Sequence, residues 1–240
     1  MGLRVADGGP VIPNFGKPSD CLRHNGWLCT DWIRTHWGDT LQPALIQHIQ
    51  LTLIAVGIGF AISFALALVA LRFGWLDPPL GVFTDFLYMI PSLALFQLLV
   101  PLSGVTVTTV EIALVSYTLF ILYRNIVVGL RSVPPDVLES ARGMGFTRRQ
   151  TFLRVELPLA MPAILSGLRI AFVATISIAT VAAFLIEDGL GAPIFAAIAT
   201  PDLFKTELLA AGGLAIVLAL TVDLLLAFAQ RVLTPWNRAR

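Results

Sequence analysis

Five apolar runs, each near the length needed to cross a bilayer, are separated by short polar intervals and one long one. They cover residues 49–71, 80–100, 107–130, 169–186 and 208–229. The first is 23 residues without a charge, ended by Arg72. The second follows the tight turn Asp77-Pro78-Pro79, has Asp85 near its start and carries Pro91 mid-way. A mid-span proline removes a backbone hydrogen bond, so a kinked helix is expected there. The third contains Glu111 and Arg124; the fourth begins at Arg169, after the lead-in Leu159–Leu168; the fifth holds Asp223. Ala192–Ala199 is apolar but too short to cross and reads as a re-entrant or surface segment. The pattern predicts an all-α integral membrane protein with about five transmembrane helices.

The long polar interval, Ser132–Pro158, reads as two short helices with a break. Pro134 and Pro135 suit a first helical turn, where a missing N–H costs nothing, and Asp136 and Glu139 lie near its positive end. Val137, Leu138, Ala141 and Met144 share one apolar face. Gly145 is a natural stop, and Thr147 with Gln150 forms a capping box that opens the second helix. Phe152, Leu153 and Leu157 form its apolar side, and Pro158 is expected to end or kink it. Arg142, Arg148, Arg149 and Arg154 stud the opposite surface.

Composition changes the picture in three ways. With 57% hydrophobic and 13% charged residues the chain is far from the roughly 25% charged of soluble domains. A net charge of +1 argues against a nucleic-acid partner. Neither lysine lies in a Walker A phosphate loop, so ATP chemistry would have to come from another subunit. Five spans put the chain ends on opposite sides. One side collects nine basic residues, at 72, 131, 142, 148, 149, 154, 231, 238 and 240; the other has five, at 4, 17, 23, 34 and 205. The positive-inside rule therefore places the central loop and the tail, 231–240, in the cytoplasm and the N-terminal segment, 1–45, outside. That segment holds the only cysteines, Cys21 and Cys29. A disulfide, a metal site with His24 and His36, and two free thiols remain open, since spacing does not fix connectivity.

The central interval also resembles a known pattern. Glu139-Ser140-Ala141, then Gly145, then Val155-Glu156-Leu157-Pro158 match the E-A-A, three residues, G, nine residues, I-x-L-P loop of permease subunits of ABC importers. Beyond the loop, Ile90-Pro91-Ser92-Leu93-Ala94-Leu95, Arg124-Asn125, Val155–Ala160, Thr180–Phe184 and Gly189-Leu190-Gly191 are similar to permeases for glycine betaine, carnitine and choline. Coverage is about residues 46–230; Glu187-Asp188 stands where that family more often has small residues. The resemblance implies the type I importer fold and two permease subunits paired in the membrane. It also implies two cytoplasmic ATPase subunits, holding ATP and Mg, that grip the loops, and an extracellular or periplasmic solute-binding protein supplied as a separate chain. The coupling residues it implies are Glu139, Ser140, Ala141, Gly145, Val155, Leu157 and Pro158, with no cofactor in this chain.

A translocation path is sought among Tyr88, Pro91, Ser92, Tyr117, Arg124 and Asp223. Aromatic faces hold quaternary ammonium groups, and Tyr88, Phe96, Tyr117, Phe120 and Tyr123 are available. Charges within the bilayer face the bundle and pair, so Arg124 is expected to meet Asp223 in one conformation of a transport cycle, with Asp85 the alternative partner; snorkelling of Arg124 toward the cytoplasmic headgroups is the competing reading. An amino-acid or other small-solute permease is the nearest competing reading. A membrane-embedded enzyme would need a clustered acid–base set, but Asp85, Glu111 and Asp223 fall on different spans and His48 at the edge of the first.

Overall fold

A computed structural model describes residues 20–236; the basic positions 4, 17, 238 and 240 used in the orientation argument lie outside them. Two short helices, α1 (Asp20–Arg23) and α2 (Thr30–Thr35), precede one wide π turn and the long α3 (Gln42–Arg72). Next come α4 (Asp77–Met89), α5 (Ser92–Ser103) and α6 (Val107–Arg131). The polar interval supplies α7 (Pro135–Gly143) and α8 (Arg148–Thr151), and α9 (Leu157–Val181), α10 (Gly191–Ala199) and α11 (Lys205–Leu233) complete the chain. Among the described residues, four continuous helical stretches are long and apolar enough to cross a membrane, and α4 with α5 reaches that length only when the bent pair is taken together as a broken span.

That break is sharper than the expected kink. The two helices meet at 99°. Ile90 and Pro91 both leave the helical region, with ψ of 126° and 136°. A residue before proline is pushed to extended backbone, and here two successive residues go, so the helix turns a corner instead of bending.

The fourth crossing also departs from the sequence reading. Pro158 does not end the second loop helix, which continues as one stretch from Arg148 to Phe184. The turn Phe152–Glu156 is widened to a π turn, in which the Leu157 N–H bonds to the Phe152 carbonyl. A widened turn just before Pro158 takes up the backbone mismatch that the proline ring would otherwise force into a break. Arg169, expected at the start of the span, is therefore deep inside it.

α6 is the central helix: 61% of its apolar window is buried, against 11% for α11. It packs against α3 on one side and α9 on another. Close approach is set by small residues. A β-carbon at Gly59 on α3 would fall 1.8 Å from Thr118 Oγ1 and 2.9 Å from Thr118 Cβ on α6, so any side chain there would push the helices apart. The core between them is Leu51, Ala55, Val110, Leu114 and Tyr117 at one level and Ala67, Leu122, Tyr123 and Ile126 at the other.

His48 lies fully buried inside α3, not at the edge of a span. Its Nδ1 accepts from the Leu190 N–H at 3.2 Å, so Nε2 carries the proton and donates to the Ile176 carbonyl at 3.1 Å. Gln47 accepts from the Gly189 N–H at 3.1 Å. These bonds fix the Gly189–Gly191 turn against α3 and α9, where burial would otherwise leave its amides unsatisfied.

Candidate functional site

The polar interval forms a compact helix pair. α7 ends in a left-handed glycine closure: Gly145 has φ +83°, the Phe146 N–H bonds to the Ala141 carbonyl at 3.1 Å, and the Gly145 N–H to that of Arg142 at 2.9 Å. This double bond pattern satisfies carbonyls that a helix end leaves open and fixes the exit direction of the chain. Two residues on, Thr147 and Gln150 cap each other reciprocally, with the Thr147 N–H donating to Gln150 Oε1 at 2.8 Å. The Arg154 guanidinium lies 6.0 Å from the centre of the Phe146 ring. Both arms are thus held by local bonds, and the second runs without a gap into α9.

Ala141 is buried against the second arm, while Val137 and Met144, on the same apolar side, stay exposed, Met144 to 70%. Glu139, Ser140 and Gly145 are exposed; Val155, Leu157 and Pro158 are half-buried at the root of α9. Exposed apolar groups beside Arg142, Arg148 and Arg149 make a face that this chain leaves uncovered. The base of the loop is fastened by Arg131, which donates to Asp77 Oδ2 at 2.6 Å, while Tyr123 donates to Asp77 Oδ1 at 2.7 Å.

Within the helical bundle the charges pair differently from the sequence reading. Arg124 meets Asp85, donating through Nε at 3.2 Å and Nη2 at 2.5 Å. Asp223 meets Arg169, through Nε at 2.8 Å and Nη2 at 2.9 Å. The expected Arg124–Asp223 pair is not formed; its stated alternative, Asp85, is the partner of Arg124. The reason is topological. Asp223 sits on α11, which packs chiefly on α9 and α10. α4 runs antiparallel along α6, so Asp77 faces Arg131, Asp85 faces Arg124, and the Ile90 carbonyl accepts from the Tyr117 hydroxyl, as successive rungs of one register. α9 and α11 are pinned in the same manner: Gln230 donates to the Pro162 carbonyl at 3.0 Å, two helical turns from Arg169–Asp223. Seven residues return to almost the same helix face, which is why the rungs on α6, α9 and α11 repeat at that interval.

The Arg169 partner was missed because Arg169 was read as a boundary. A signal was present: the ten residues before it, Leu159–Leu168, are apolar or small, so a helix starting near Leu157 carries Arg169 twelve residues inside. The pair lines a cavity of about 680 Å³ between α9 and α11, otherwise walled by Ile170, Val173 and Leu220 with Ser166 and Ser177.

The aromatic candidates divide. Phe96 and Tyr123 are fully buried in the core. Tyr88 gathers Phe120 and Tyr117, with ring centres at 4.6 and 6.0 Å. Pro91 and Ser92 form the corner from which α5 departs.

The two cysteines are joined. The loop they close is pinned to the turn before α11: Asn25 donates to the carbonyls of Asp202 and Leu203 at 2.8 and 3.0 Å and accepts from the Lys205 N–H at 3.2 Å. Since α11 is antiparallel to α9, this loop lies at the opposite end of the molecule from α7. Among the described residues no group of three His, Cys, Asp or Glu could hold a metal ion.

Residues 54–238 match the family of binding-protein-dependent transport system inner membrane components. The chain belongs to this family. The permease is 33% identical, over 87% of its length and 95% of the relative, to the choline transport system permease protein OpuBB of Bacillus subtilis. It is 37% identical to the osmoprotectant import permease protein OsmW of Salmonella typhimurium, over 81% of this chain and 92% of that one. In fold it is similar to an inward-facing form of the MetNI methionine ABC transporter, with a TM-score of 0.73 at 17% identity over 84% of this chain and 98% of that chain. An amino acid ABC transporter gives 0.68 at 21%, over 83% and 97%. The permease is therefore the transport subunit of an importer with the type I architecture, and not itself an enzyme.

Proposed function

We propose that this permease carries a small osmoprotectant of the choline, glycine betaine or carnitine class. The loop of α7 and α8 would be the part that ATP hydrolysis moves. The observation that carries the mechanical half is the exposed, doubly capped helix pair that continues without a break into α9. A push on such an element is delivered to the bundle as a rigid-body motion. Glu139, Ser140, Ala141 and Gly145 shape the face that enters an ATPase subunit, and Val155, Leu157 and Pro158 root it in α9. ATP and Mg belong to that partner. The arginine excess on the α7 side supports a cytoplasmic loop, so the Cys21–Cys29 loop faces outward, toward the solute-binding protein. Two permease subunits, identical or different, would line the path between them.

The substrate class rests on relatives 31–37% identical whose names specify choline, carnitine, glycine betaine or osmoprotectant transport. The fold-level likeness to amino-acid transporters, at 17–21% identity, supports architecture alone. Uptake of labelled choline, glycine betaine and methionine is to be measured in cells lacking their own carriers. They would express this chain with its ATPase and binding protein. Accumulation of either osmoprotectant, dependent on all three, is expected; methionine uptake without the others would overturn the assignment.

A further inference from the structure

Two ion pairs stand partly exposed on the flanks of the bundle, Arg124–Asp85 at 48% and 29% and Arg169–Asp223 at 32% and 33%. Arg124 is seven residues from Arg131, about 10 Å further along α6. A charge facing hydrocarbon at such depth is costly, so both faces must meet water or protein in the assembled importer. Their surroundings differ. The α9–α11 cavity has only aliphatic and small residues beside the pair. The α4–α6 face has aromatic rings. Tyr88 is one turn beyond Asp85 on α4, Phe120 is one turn before Arg124 on α6, and both rings are in contact with Tyr117 or each other. Residues three or four apart on a helix have β-carbons about 5–6 Å apart, so rings and guanidinium lie within one small solute's length. Tyr88 is 42% exposed, so the aromatic surface is open on the same side as the ion pair.

We propose that Tyr88, Phe120, Arg124 and Asp85 form a solute site of the permease itself, for a zwitterion with a quaternary ammonium at one end and a carboxylate at the other. This rests on the osmoprotectant reading above. The ammonium lies on the exposed side of the Tyr88 ring, which Phe120 backs at 4.6 Å, beside Asp85. The carboxylate takes the planar fork of Arg124, which Asp85 occupies when solute is absent. Inserting a zwitterion into an ion pair leaves the charge balance unchanged, so the site fills and empties without a net charge crossing hydrocarbon. Tyr117 anchors the floor: its hydroxyl, bonded to the Ile90 carbonyl, holds the ring cluster at the corner where α5 turns away. A solute without a carboxylate, such as choline, uses the rings and Asp85 only.

The test is carried out on the complete importer in proteoliposomes at saturating loaded binding protein, reading solute moved per ATP hydrolysed. A merely structural fault lowers both quantities together; loss of a solute site lowers their ratio. Tyr88→Leu and Phe120→Leu are expected to lower the ratio about tenfold for choline and glycine betaine alike, and Tyr88→Phe to keep it within about twofold. Arg124→Gln is expected to lower the ratio for glycine betaine several-fold more than for choline. Should that variant fail to assemble, Arg124→Lys keeps the charge opposite Asp85 but loses the planar fork, and is expected to show the same preference. An unchanged ratio in the two leucine variants, or equal losses for the two solutes in the Arg124 variants, overturns the site. If the wild-type importer moves neither solute, the osmoprotectant reading itself falls, and this proposal with it.

Discussion

Arg169 on α9 and Asp223 on α11 meet in a two-pronged pair, with both guanidinium–carboxylate bonds between 2.8 and 2.9 Å. Together with the bonds of Gln230 to the Pro162 carbonyl and Ser166 it ties the least buried long helix to α9. Removing one partner leaves a charge stranded among apolar walls, which costs more than the pair contributes. Arg169→Ala and Asp223→Ala are each expected to lower transport severalfold and reduce the amount of folded protein. Arg169→Asp combined with Asp223→Arg is expected to restore a measurable part of both. The swap of Arg124 with Asp223 is expected to rescue nothing, because their helices do not pack together. Rescue by that second swap would show a different register.

Gly145 separates backbone strain from partner contact. Its φ of +83° is costly for any other residue, yet a β-carbon added there meets nothing within 4 Å. Gly145→Ala is expected to weaken the α7 closure by about 1 kcal/mol with normal assembly. Gly145→Trp carries the same backbone strain and adds a large ring to an exposed turn. It is expected to leave the protein in the membrane and abolish solute-stimulated ATP hydrolysis, because on the coupling proposal the added ring would stand between the loop and the ATPase subunit. Equal, mild effects of both variants on transport would remove Gly145 from the coupling surface.

The Cys21–Cys29 loop reports orientation. It is pinned to Asp202, Leu203 and Lys205 at the end of the bundle remote from α7. A membrane-impermeant thiol reagent is expected to label these residues on intact cells, and only after mild reduction. Labelling that requires permeabilised cells reverses the assigned topology.

Glu111 on α6 has both carboxylate oxygens buried without a hydrogen-bond partner among the described residues. An unpaired buried carboxylate opposes folding. Glu111→Gln is expected to stabilise the isolated permease in detergent by about 1 kcal/mol, read as a rise in unfolding temperature. If stability in the assembled importer falls instead, a neighbouring subunit supplies the missing partner.

Much of the architecture was legible because its causes are local. Hydropathy over some twenty residues marks a crossing without reference to the rest of the chain, and α6 follows its apolar run closely, while α3 ends with its run but begins seven residues earlier. The Thr147–Gln150 box and the Gly145 closure are bonds among residues three to five apart, so residue type and spacing specify them. The presence of charge within the apolar runs at Arg124 and Asp223, and of a kink at Pro91 though not a 99° corner, could be read in the same manner.

Tertiary structure decided what depends on the register between helices far apart in sequence. Their similar spacing from Arg131 and Arg231 made Arg124 and Asp223 natural partners, yet α4 lies along α6 and α11 along α9, so each charge finds the residue its own neighbour presents at that level. The 99° corner needed Tyr117, twenty-seven residues away, to bond the Ile90 carbonyl that the broken helix exposes. The passage of α8 into α9 through Pro158 needed the widened turn before it, a backbone adjustment without a residue signature. Hydrophobicity and capping act over one or two turns and so are written in the local sequence. Which side chain completes a buried charge or carbonyl is settled only when the helices have packed.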